Sequence, residues 1–116
     1  MTPKPSLSPD TVSRLDRARL RLAECDKFRG ILEDTHAKLV RRNVACSATP
    51  AGEAWHDLHL RARVWRSAAV GEIDALLDGD EDEARSRAGL EETMRGIVCL
   101  YVDRLWDEIE ADLRER

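Results

Sequence analysis

Residues 8–43 read SPDTVSRLDRARLRLAECDKFRGILEDTHAKLVRRN, and after Pro9 the only helix breaker among them is Gly30. Ser8 can cap a helix, proline is tolerated at the first helical position, and Asp10 meets the positive end of the helix dipole. Leu15, Ala18, Leu22, Cys25, Leu32 and Leu39 then recur in alternating steps of three and four, with Arg29 and His36 in the remaining places. This is the seam of a coiled-coil helix with two polar interruptions.

The pattern lapses over Arg41 to Thr49 and resumes at Thr49-Pro50, a second cap followed by proline. The next seam is Trp55, Leu58, Ala62, Trp65, Ala69, Ile73 and Leu76, with a step of four from Ala69 to Ile73 where three is expected. Asp78-Gly79-Asp80 ends it, since glycine takes the left-handed closing conformation and Asp80 can cap another helix. Glu81, Asp82 and Glu83 open this third helix, which carries Leu90, Met94, Ile97, Val98, Tyr101, Val102, Leu105, Ile109 and Leu113, an inward arc with no well-centred acid. Residues 1–7, with Pro3 and Pro5, read as a disordered leader. The expected fold is all-α: a single domain over 8–116 forming an elongated antiparallel three-helix bundle, up-down-up, with coiled-coil-like packing. Its helices cover about 9–43, 50–78 and 80–115, and each is roughly 43 to 52 Å long at 1.5 Å per residue.

The chain has 116 residues, 42% hydrophobic and 36% charged, with net charge −4. No run of about 18 apolar residues occurs, and the first ten residues lack an apolar signal core, so the expectation is a cytoplasmic protein with no membrane contact. Cys25, Cys46 and Cys99 are odd in number and widely spaced, which suggests neither a disulfide framework nor a cysteine zinc site; Cys46 is expected to be exposed in its loop. An Arg-to-Lys ratio of 16 to 3 suggests a bacterial or phage source.

One slim bundle does not use all of its apolar residues. Leu20 and Ile31 project from the far side of the first helix with Phe28 at its edge, Leu60 and Val64 point away from the second seam, and Leu100 and Trp106 widen the arc of the third. A thin rod exposes more surface than a globule of its mass, so these seven residues are read as partner-binding. The expected function is a non-enzymatic protein–protein interaction module, an adaptor, inhibitor or small subunit of a larger complex. Its partner is another protein, a second copy, or both, and no cofactor is implied.

Charge supports an alternative. Residues 10–49 carry nine basic and six acidic side chains, whereas 79–116 carry six and twelve. Arg14, Arg17 and Arg21 lie on one side of the first helix, with Arg41 and Arg42 at its end, and such a ridge can contact phosphates within a nucleoprotein complex. The competing expectation is internal pairing: with helices one and three parallel, residues 14–21 lie near acids 80–83, and 38–42 near acids 107–115.

Chemistry is thinly represented. Glu33/His36 and Glu53/His56 have the Glu-x-x-His spacing of di-iron bundles, which gives a metal-dependent bundle enzyme as a third reading. Only His36 falls in a seam, Glu53 and His56 point away from theirs, and a chance pair is easy among eleven glutamates, so no metal ligand and no catalytic residue is assigned. His56 and His59 form an H-x-x-H without a third ligand, with His56 expected in solvent and His59 packed at a helix edge. Asp78-x-Asp80-x-Asp82 opens like a calcium loop but lacks the required glycine and the closing glutamate. His36 and Arg29 are instead expected to fix register as polar seam positions.

Overall fold

A computed structural model describes residues 7–44 and 48–115, the last by its backbone only. It contains α1 (Pro9–Arg41), α2 (Pro50–Asp78) and α3 (Glu81–Glu115), arranged as a three-helix bundle of 68 × 22 × 19 Å. Leu7 lies outside the helices and is exposed, whereas the rest of the expected leader and Cys46 lie outside the described residues.

The helix ends result from local chemistry. The Ser8 hydroxyl accepts from the Thr11 amide at 3.1 Å, Thr49 Oγ1 accepts from Gly52 N–H at 3.1 Å, and Asp80 Oδ1 accepts from Glu83 N–H at 3.1 Å. Each supplies a partner for an amide that the first helical turn leaves unmatched. The two closures are alike. Gly79 sits at φ 77° while Asp80 N–H returns to Ala75 O at 3.0 Å. Asn43, at φ 57°, lets Val44 N–H return to Leu39 O at 2.9 Å, and the buried Val44 and Leu39 side chains share one cluster across this turn. Asparagine is the non-glycine residue best suited to that left-handed position.

The core runs the length of the rod in three clusters. Leu15, Ala18, Ala75, Leu76 and Ala84 close one end, and Leu39, Val44 and Ala51 close the other. Between them lie Cys25, Leu32, Ala54, Leu58, Trp65, Ala69, Met94, Val98 and Leu105. Arg14 Nη1 reaches Glu81 Oε2 at 2.6 Å, which ties the start of α1 to the start of α3 and makes these two helices parallel. The helices do not approach one another equally. α2 packs backbone-close on both neighbours, but no Cα of α1 comes within 8 Å of a Cα of α3.

Several residue placements differ from the sequence reading. Glu91, on an arc read as free of acids, is only 1% exposed, while its neighbour Leu90 is turned outward. Glu72 is also buried, and it resolves the irregular step in the second seam: the inward line runs Leu58, Trp65, Ala68, Glu72, Ala75 with normal spacing. Arg29 leaves the seam, with its side chain 60% exposed beside Glu33 at 3.3 Å, and Thr35 occupies the interior instead, donating its hydroxyl to Ile31 O at 2.8 Å. Phe28 is not on an outward stripe, because its ring packs edge-on against Trp65 with centroids 5.9 Å apart. In each case a satisfied polar group or an aromatic contact decides the inward face, and apolar periodicity does not register it.

Candidate interaction surface

Two side-chain assemblies hold α1 in place and thereby define the open surface. In the first, Glu91 Oε1 accepts from Trp65 Nε1 at 2.9 Å and from Arg95 Nη2 at 2.9 Å, while Arg21 Nη1 lies 3.7 Å from its other oxygen. The same Arg21 nitrogen donates to Glu72 at 2.7 Å. One guanidinium from α1 therefore spans a buried carboxylate on α2 and another on α3. In the second, Trp55 Nε1 donates to Leu32 O at 3.0 Å, and its indole lies against His36 and His59 at centroid distances of 4.4 and 4.9 Å. His36 is thus half-buried against an aromatic ring, Glu33 faces Arg29, and Glu53 and His56 are exposed. Among the described residues no three of His, Cys, Asp and Glu are grouped so as to hold a metal ion.

The wider spacing of α1 and α3 leaves a groove at the closing end of the rod. Its cavity of about 270 Å³ has Thr35, Lys38, Leu39 and Arg42 on the α1 side and Trp106, Ile109, Asp112 and Leu113 on the α3 side, with the buried Val44 beneath. Trp106 is 50% exposed. Unlike the indoles of Trp55 and Trp65, its N–H donates to no group among the described residues. Asp112 Oδ2 is enclosed and has no hydrogen-bond partner among them either. Ile31, half-exposed, lies one turn before Thr35 on the same face of α1, and Leu20 lies three turns further back on that line.

The residues read as partner-binding thus divide. Trp106 lines this groove, whereas Ile31 lies one turn and Leu20 about four turns before Thr35 along α1, outside its lining. Leu60 and Val64 meet Leu90 in a separate shallow groove between α2 and α3, flanked by Arg63 and Arg87. Leu100, 70% exposed, lines neither groove, and Phe28 belongs to the core. Leu90 and Leu113 are the additions that sequence reasoning placed inside; they are turned out because Glu91 and Asp112 take the inward positions beside them.

The arginines divide too. Arg14 engages Glu81 across the parallel α1 and α3, as expected, whereas Arg21 reaches Glu72 of α2 and Glu91 of α3 and none of acids 80–83. Arg17 and Arg41 face solvent, and Arg42 lines the groove. No described helix is long and apolar enough to cross a membrane. Comparison with protein-family models, curated proteins and solved structures finds no match for this chain.

Proposed function

We propose that the protein is a non-enzymatic interaction module, an adaptor, inhibitor or small subunit of a bacterial or phage complex, which acts in the cytoplasm by being covered along its α1–α3 groove. The carrying observation is Trp106: a tryptophan half in solvent, with an unmatched N–H, in an apolar groove beside an enclosed carboxylate oxygen that also lacks a partner among the described residues. Enclosed polar atoms are normally satisfied, and partly exposed tryptophans are frequent anchors of protein interfaces. A nucleoprotein role is the weaker reading, because Arg14 and Arg21 already face carboxylates inside the bundle.

Immobilised protein and its Trp106→Lys and Ile31→Asp variants, each checked for unchanged helicity, test the reading. A protein retained by the parent and lost with both variants is the expected result. Retention unaffected by either variant, together with no self-association, overturns it.

A further inference from the structure

The α1–α3 groove is closed by a second copy of this chain, and we infer a specific arrangement: a parallel dimer whose two-fold axis runs along the rod, with α1 of each copy seated over α3 of the other. This rests on the reading that the groove exists to be covered, and adds what covers it and in which orientation.

Charge chooses the occupant. The segment containing α1 carries nine basic and six acidic side chains, whereas that containing α3 carries six and twelve. Several of these charges pair within one copy, but those lining the groove keep the same division, Lys38 and Arg42 on the α1 side and Asp112 on the α3 side, and a surface so divided is self-complementary, as a two-fold interface must be. Two face-to-face arrangements are open to such a surface. An axis across the rod sets α1 on α1 and α3 on α3, like charge on like. An axis along the rod sets α1 on α3 twice, and that alternative is the one electrostatics favours.

The same axis sets the charged and apolar groove residues of the two copies against each other. Rotation about a line parallel to the helices leaves every residue at its own height, so each α3 residue meets partner residues level with its own neighbours on α1. Lys38 lines the same groove as Asp112, so in the dimer the Lys38 ammonium of the second copy arrives level with Asp112, from the open side. That sets a positive charge beside the Asp112 carboxylate at the groove rim. By the same construction Trp106 comes level with Thr35 of the second copy, and the half-exposed Ile31, one turn before Thr35, is the nearest exposed apolar side chain for it to cover. The four helices α1, α3 and their symmetry mates then enclose a shared core, which makes up the backbone distance left open between α1 and α3 within one copy.

Sedimentation equilibrium of the full chain over a wide concentration range tests this. A dimer is expected, weakened about tenfold by Lys38→Glu and again by Asp112→Lys, and restored when both exchanges stand in one chain, since only a self-partner compensates itself. Trp106→Lys, at a half-exposed position that the monomer fold does not need, should weaken it at least about thirtyfold. Spin labels on Arg114→Cys, in a chain with Cys46→Ser and Cys99→Ser, should report a separation well under the 68 Å length of the rod. A monomer at every concentration overturns the inference, as does a dimer insensitive to Trp106→Lys or one whose labels sit a rod-length apart. A monomer that still captures another protein through Trp106 overturns the dimer and leaves the proposed function standing.

Discussion

The indole nitrogen of Trp65 on α2 donates to Glu91 of α3 at 2.9 Å, in a place where both groups are almost completely withdrawn from water. A carboxylate that deep is tolerated only with several donors, and Arg95 and Arg21 supply the others.

Glu91→Ala should therefore destabilise the protein by about 3 kcal/mol or more, because it removes the group that Trp65, Arg95 and Arg21 were placed to meet. Arg14→Ala breaks a shorter contact, 2.6 Å to Glu81, but in a half-exposed setting, and should cost no more than about 1 kcal/mol. Urea unfolding of both variants checks the ranking; equal effects would contradict the role given to Glu91.

These residues mark how far the sequence is legible. Helix number, limits and direction derive from Ser8, Pro9, Thr49, Pro50 and Gly79, whose effects are local. Leu20, Ile31 and Trp106 are recognisable as outward because each falls off an apolar line. Glu72 and Glu91 are not, since a pattern of apolar positions treats any acid as surface; their burial depends on Arg21 and Trp65, 51 and 26 residues away in the chain. The regular three-four spacing through Glu72 is the trace that could have shown it. The groove has no sequence trace, because it arises from the distance between α1 and α3.

His59 sets a pH dependence. Its burial first, then Arg63, His56 and Arg29, hold its pKa below the ordinary 6.5 against the opposing Glu33, with Trp55 stacked on the ring and His36 beside that indole. The unfolded chain then takes up the proton first as pH falls. Stability is complete above the unfolded value, declines as pH drops through about 6.5, and stops declining from this source once the folded pKa is passed. His59→Gln should flatten the melting temperature between pH 7.5 and about 5.5, a window above most carboxylate titration.

The cysteines should differ sharply toward thiol reagents. Cys25 is buried, and burial first, with Glu91, Asp26 and Glu24 adding to it, pushes its pKa up to about 12, whereas Cys99 is exposed. In a Cys46→Ser background, one thiol should react promptly with a maleimide and the second only at the rate of unfolding. Two equally fast thiols would contradict the packing of Cys25.

Gly79→Ala should lower stability by about 1 kcal/mol, because φ 77° brings an added Cβ against its own backbone although the space around it is open. Asn43→Gly, at the matching turn after α1, should be tolerated, and Asn43→Val should not. Thermal melts of the three variants check the ranking.

Because α1 meets α3 through long side chains and not through close backbone approach, the rod should open in parts and not as one unit. α2 and α3 form a hairpin with the tightest backbone packing, while α1 is held by its contact with α2, the Arg21 bridge and the hydrogen bond from the Trp55 indole to Leu32 O. Amide protons along α1 should accordingly exchange with deuterium ahead of those in α2 and α3, through partial openings that leave the hairpin intact. The helix that carries the basic charge is thus also the one expected to open first.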